Sequence, residues 1–77
     1  MPQVSVFGID RAEPLLHVVG MDDAGPVVWR KRLTRSRLMP FMAKLPPVVI
    51  GMEAYGGAHY WARRFREQGH TVKLMAP

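Results

Sequence analysis

The distribution of apolar residues along the chain predicts five strands and two helices. Apolar runs over residues 4–10, 15–21, 26–33, 48–53 and 70–75 have the length and the β-branched content typical of strands. The first run is nearly all apolar, which predicts burial on both of its faces. Residues 22–25 read Asp-Asp-Ala-Gly, a composition that favours a turn. The first three strands are therefore expected to form an antiparallel meander.

A first helix is predicted after Thr34 or Ser36, since either residue can act as its N-cap. Pro40 lies within this segment, and a proline past the first turn removes a hydrogen bond and clashes with the preceding turn. The helix is therefore expected either to begin late, near Pro40, or to be kinked. Pro46 and Pro47 then end it. The apolar positions that follow helical spacing are Leu38, Phe41, Met42 and Leu45.

A second helix is predicted over residues 58–68, with Gly69 suited to the left-handed residue just past its end. The element order is then βββαβαβ. A strand-helix-strand-helix-strand series favours parallel pairing with right-handed crossovers. Joined to the meander, it predicts an α/β fold with a mixed five-stranded sheet. Ribonuclease-H-like folds have this pattern, and so do other α/β arrangements. The apolar stripe of the helix is Ala58, Trp61, Ala62 and Phe65.

Composition narrows the function classes. The 77 residues contain 11 Lys+Arg against 6 Asp+Glu, a net charge of +5, which favours a nucleic acid or another polyanion as partner over a merely soluble surface. The absence of cysteine excludes disulfides and thiolate metal sites. No apolar run approaches the roughly 20 residues that span a bilayer, and the N-terminus lacks a signal peptide, so a cytoplasmic location is expected. The chain ends on a strand-like run, as an unfinished domain would, and an uncovered sheet edge or apolar face would favour self-association.

Two acids end predicted strands. Asp10 closes the first strand and Glu53 closes the fourth. If these strands are parallel neighbours, both carboxylates lie at the sheet edge where open α/β sheets place their sites. They could then share a Mg²⁺ ion acting on a phosphodiester. The alternative is that both are ordinary polar residues that terminate strands. Asp22 and Asp23 are assigned to the turn, and His17 has no partner at metal-ligand spacing.

The second helix carries the candidate nucleic-acid contacts. Gly56 and Gly57 precede it, and a glycine pair there allows backbone N–H groups to approach a phosphate, although a tight turn explains it equally. Basic side chains on the helix could contact a nucleic-acid backbone, or could simply form a solvated face. These side chains are His59, Arg63, Arg64 and Arg66.

Several motifs occur together in one order along the chain. They are Phe7-Gly8-Ile9-Asp10, Asp23-Ala24-Gly25, the stretch from Gly51-Met52-Glu53-Ala54 to Trp61-Ala62, Gly69-His70 and Leu74-Met75-Ala76-Pro77. With these motifs the chain resembles the N-terminal part of the DEDD-type insertion-sequence transposases, the family associated with bridge RNA. The stretch from Gly51 to Ala62 is the most specific part of the resemblance.

The resemblance implies a RuvC-like, ribonuclease-H-type fold over residues 1–77 and DNA recombination that uses Mg²⁺, or Mn²⁺ in its place. The first acid of the family matches Asp10 and the second matches Glu53. Its third and fourth acids, and a serine-bearing C-terminal domain, lie beyond Pro77, so a truncated domain that is inactive alone is expected. DNA and a guide RNA are the partners it implies.

The sequence departs from the family pattern in three places, one of which is Pro40 within the first helix. Arg11-Ala12-Glu13 follows Asp10 where a small or apolar residue and then a lysine are common, and Tyr55 replaces a frequent cysteine. One alternative is a non-catalytic module that binds nucleic acid or a transposase. A sugar or acetate kinase also opens with Gly-Ile-Asp, but the phosphate-binding glycines and threonines of that class are missing from residues 11–14.

Overall fold

The computed structural model describes residues 4–12, 15–22, 25–54 and 56–76, without the side chains of Arg11 and Ala12. These residues form a five-stranded sheet and two helices in the predicted order βββαβαβ. The strands are β1 (Val6–Ala12), β2 (Leu15–Met21), β3 (Val27–Leu33), β4 (Val49–Glu53) and β5 (Thr71–Met75), and the helices are α1 (Arg35–Ala43) and α2 (Ala58–Glu67).

The sheet is mixed, with the strand order β3-β2-β1-β4-β5. The antiparallel pairs β1–β2 and β2–β3 form the predicted meander, and β1–β4 and β4–β5 pair in parallel. A left-handed φ of 100° at Gly25 serves the turn that precedes β3. The α/β prediction with a mixed five-stranded sheet is thus confirmed, while the predicted turn residues Asp23 and Ala24, and the loop residue Tyr55, lie outside the described residues.

Both helices pack on one face of the sheet, and no described helix covers the other face. The predicted stripe of α2 is fully buried, and Leu38 and Met42 of α1 complete the core. The strands contribute alternate residues to it, among them Phe7 and Ile9 of β1. The prediction that β1 is buried on both faces is wrong, because Val6 and Gly8 are only half-buried and Asp10 is exposed.

Helix α1 begins at Arg35 and continues through Pro40, so the predicted late start near Pro40 is wrong. Thr34 occupies the N-cap position, and its carbonyl accepts hydrogen bonds from the N–H groups of Arg37 and Leu38. Proline removes a single helical N–H donor, and Pro40 lies on the exposed side. The burial of Leu38 and Met42 therefore holds the helix together across it.

The end of α2 is fixed by a Schellman motif. Gly69 has a φ of 98°, its N–H donates to the Arg66 carbonyl, and the His70 N–H donates to the Phe65 carbonyl. This confirms the predicted role of Gly69. At β3, Trp29 stacks on Phe41 of α1 with ring centroids 5.5 Å apart and nearly parallel planes.

His70 joins three elements through its buried ring. The Val48 backbone N–H donates to Nδ1 at 3.2 Å, so the neutral ring carries its proton on Nε2. Nε2 then donates to the Met42 carbonyl at 2.8 Å. The imidazole, which follows α2, therefore links the end of α1 to the residue just before β4. Apart from its place after Gly69, nothing in the sequence indicates this role.

We predict that His70→Leu lowers the free energy of unfolding by about 2 kcal/mol or more, because a buried backbone group left without a partner costs about 1–3 kcal/mol. Denaturant unfolding followed by circular dichroism measures the change. His59→Leu on the exposed side of α2 is the matched control and should change stability by less than about 0.5 kcal/mol. Equal losses in the two variants would contradict this role.

Candidate active site

Asp10 and Glu53 lie side by side on the uncovered face of the sheet. Ile9 of β1 and Met52 of β4 are register partners in parallel strands and point into the core, so the next residue of each strand points to the opposite face. Neighbouring strands are about 4.8 Å apart, which is close enough for two carboxylates to share one cation. The two predicted site residues are thus brought together, and both are exposed.

We call this uncovered surface the open face. Its residues alternate with those that point into the core, and its centre is apolar or glycine while charged side chains lie toward its margins. Described residues of the open face are Val6, Gly8, Asp10, Leu15, His17, Val19, Met21, Arg30, Arg32, Val49, Gly51, Glu53, Thr71, Lys73 and Met75.

A shallow pocket lies next to the acids, and two glycines form its floor. Gly8 and Gly51 are register partners at the centre of the sheet, so no side chain rises above the backbone there. The methyl groups of Met21 and Met75 flank them, at 3.5 Å and 3.4 Å from where a Cβ of Gly8 or Gly51 would lie. Glycine inside a strand often marks a place where a ligand or another backbone approaches closely. The pocket is lined by Gly8, Ile9, Asp10, Val19, Gly51, Glu53 and Met75.

The register aligns further polar residues with the acids. Asp10 pairs with His17 of β2, and His17 pairs with Arg32 of β3, so the three form one row across the strands. Arg30 begins the next row, which crosses Val19, Gly8 and Gly51 and ends at Lys73. Sequence reasoning missed both rows, although the alternation within Arg30-Lys31-Arg32 already separates the two arginines from the lysine between them.

The donor set of the acid pair suits a hard cation. Two carboxylates supply the oxygen ligands that Mg²⁺ prefers. No lysine or arginine whose side chain is described forms an ion pair with Asp10 or Glu53, so neither carboxylate is already neutralised by one of them. Within the described part of the chain, no group of three or more His, Cys, Asp or Glu side chains is close enough to hold a metal ion. The pair can therefore supply part of a coordination shell.

The predicted nucleic-acid contacts on α2 lie on the helix side of the sheet, away from the open face. Gly56 and Gly57 form the turn between β4 and α2, close in sequence to Glu53. Two of the arginines make contacts within the fold: Arg64 Nε lies 3.8 Å from Glu67 Oε1, and Arg66 donates to the Val72 carbonyl at 3.0 Å. The structure does not bring the basic side chains His59, Arg63, Arg64 and Arg66 together with the acids.

Comparison with known proteins gives close relatives. The chain is 47% identical over 74 residues to the "Probable family 20 transposase" of Pseudomonas aeruginosa, a match that covers 96% of this chain and 22% of that protein. It is 39% identical over 77 residues to the transposase for insertion sequence element IS1328 of Yersinia enterocolitica, and 31% identical to that for IS1111A of Coxiella burnetii. These two matches cover all of this chain and 23% and 21% of the relatives.

The chain resembles insertion-sequence transposases over nearly its whole length. The resemblance drawn from the sequence motifs is thereby confirmed, while the association with bridge RNA stays a prediction. The chain spans about a fifth of the length of these transposase relatives. No protein-family model matches it. Neither helix of the described residues is long and apolar enough to cross a membrane.

We predict that Asp10→Asn and Glu53→Gln leave the free energy of unfolding unchanged or raise it slightly. Each substitution removes one of two neighbouring like charges on an exposed surface, and such a pair destabilises a sheet by about 0.2–1 kcal/mol. Thermal and denaturant unfolding measure the change. A loss of more than about 1 kcal/mol in either variant would mean that the acid contributes to the stability of the fold.

Proposed function

We propose that this chain is the part of a DNA transposase that supplies Asp10 and Glu53 as two acids of a Mg²⁺-dependent site acting on phosphodiesters. The observation that carries the proposal is the adjacency of the two carboxylates on parallel neighbouring strands, with Glu53 at the end of β4 and Asp10 two residues before the end of β1. The similarity to insertion-sequence transposases supports it independently. On this reading the sheet, with the order β3-β2-β1-β4-β5, is a ribonuclease-H-like fold of the RuvC-like type.

The two carboxylates would hold the cation, and their own role is to bind and orient it. A bound Mg²⁺, or Mn²⁺ in its place, supplies Lewis acidity and can activate a water or a 3′-hydroxyl. Two carboxylates leave most of a six-ligand shell to water, substrate and other acids. Because the chain spans about a fifth of its relatives, we propose that the remaining acids come from outside this sequence and that residues 1–77 alone catalyse no strand transfer.

The partners follow from the same proposal. DNA is the substrate, and a guide RNA is a second partner expected from the resemblance. The open face has an apolar centre, formed by residues such as Val19, Val49 and Met75, so it also offers a surface for self-association or for the rest of a transposase. Self-association and contact with the rest of a transposase would both use the open face.

A second candidate function is a non-catalytic module that binds nucleic acid through α2. It is favoured by the exposed side chains of His59, Arg63 and Arg64, which lie apart from the acids. Nucleic-acid binding that depends on α2 and is insensitive to the acid pair would support this reading over the first.

We predict that Mg²⁺ and Mn²⁺ bind weakly to the chain and that Asp10→Ala or Glu53→Ala reduces the binding further. The affinity should be low because only two carboxylates are contributed. Isothermal titration calorimetry, and electron paramagnetic resonance of Mn²⁺, measure the effect.

The matched control for this titration is Glu67→Ala, which removes an exposed acid of α2 that lies next to Arg64 and away from the open face. It should leave cation binding unchanged. Tight binding that survives both Asp10→Ala and Glu53→Ala would overturn the assignment of the acid pair.

A further inference from the structure

We infer that Arg30 and Arg32 of β3, together with His17 of β2, form a track that holds a nucleic-acid phosphate backbone on the open face and directs it to the acid pair. The inference rests on the proposed function, because it assigns the route by which a phosphodiester reaches Asp10 and Glu53. It places the substrate-binding cations on the sheet itself and not on α2.

The side chains of β3 alternate between the two faces of the sheet. Leu33 is buried, and Lys31 Nζ lies 5.6 Å from the ring centroid of Phe41, so these residues face the helices. Arg30 and Arg32 are exposed and alternate with them, which puts both guanidinium groups on the open face. Neither forms an ion pair or hydrogen bond with a described side chain, and both are available to a ligand.

The strand register aligns Arg32 and His17 with the acids. The row Arg32–His17–Asp10 crosses three neighbouring strands, so the backbone of Arg32 lies about 10 Å from that of Asp10, with His17 between them. Guanidinium groups bind phosphate oxygens with two parallel N–H donors, and an imidazole N–H can donate to a third position along the same backbone.

The surface between Arg30 and Lys73 also matters for a polymer that crosses the sheet. The row that begins at Arg30 crosses Gly8 and Gly51, which carry no side chain of their own and are flanked by the flexible side chains of Met21 and Met75. It ends at Lys73 on β5. A backbone lying across these glycines would have cations at both ends of its path.

The charges of the open face also affect the binding of a phosphate backbone. The two carboxylates in the row beside this path repel a phosphate backbone when no cation is bound between them. The three described cationic side chains of the open face, Arg30, Arg32 and Lys73, outnumber these two acids and offset that repulsion. The arginines of α2 cannot do so, because α2 packs on the other face and Arg64 and Arg66 already make contacts within the fold.

The test measures binding of labelled nucleic acid to the 77-residue chain in buffer with a chelator and no divalent cation. The probes are a single-stranded DNA, the matching DNA duplex and an RNA hairpin, each titrated at several salt concentrations. We expect R30A/R32A to flatten the dependence of log affinity on log salt by about 1.4 for the single strand and about 1.8 for the duplex, since each phosphate contact contributes about 0.7 or 0.9.

The matched control is K31A/R37A, which removes the same charge from Lys31 of β3 and Arg37 of α1, two residues that line one surface on the helix side. Its salt dependence should stay close to that of the unmodified chain. An equal loss in this control would overturn the track, because only net charge would then matter. A larger loss in R63A/R64A would also overturn it and would assign binding to α2. Circular dichroism is used to check that each variant remains folded.

A further variant tests whether the path passes the acids. D10N/E53Q should raise affinity for the probes without a divalent cation, because it removes two negative charges from the path. Unchanged affinity would overturn the route. Since no metal is present, this failure is distinct from a failure of the proposed metal site, which the Mg²⁺ titration tests separately. We expect tighter binding of DNA than of the RNA hairpin, because the track leads the substrate to the acids. The reverse order would overturn the track as a route for the substrate.

Discussion

The parallel pairing of β1 with β4 is the constraint on which the rest of the structure depends. Its register fixes which residues of the two central strands point to the helices and which point away. Phe7 and Ile9 enter the core beside Ile50 and Met52, and this burial stabilises the pairing. A slip of one residue would turn the apolar set to solvent and the acids into the core. The same interaction therefore stabilises the fold and holds the carboxylates together on the opposite face.

Much of this arrangement can be predicted from the sequence, because the elements have strong local signals. Helical spacing identified the α2 stripe from Ala58 to Phe65, and Gly69 marked its end. Of the two alternatives predicted for α1, only the late start near Pro40 is wrong. A local rule against proline competes there with the burial of Leu38 and Met42, which depends on tertiary packing. The bridging role of His70 could not be predicted, since its partners lie 22 and 28 residues away in sequence.

The candidate site, too, was only partly predictable from the sequence. Asp10 and Glu53 were predicted together because both were expected to end strands, and that signal is local. The prediction is right for Glu53 and wrong for Asp10, because β1 continues to Ala12 in its pairing with β2. The relation between α2 and the acids was not predicted, because it depends on which face the helices cover. The right-handed crossover rule supplies that information: β3-α1-β4 and β4-α2-β5 cross in the same direction along the sheet, so both helices lie on one face. The acids, alternating away from the core, must then lie on the other.

The charges of β3 also have a consequence for the solution behaviour of the protein. β3 is an edge strand, and an edge strand is a template onto which another chain can add. Arg30, Lys31 and Arg32 place positive charge on both sides of this edge, so two such edges repel each other. High salt, or a bound polyanion, screens that repulsion. The protection of the edge against strand addition thus depends on ionic strength, and the chain is best kept dispersed at low salt.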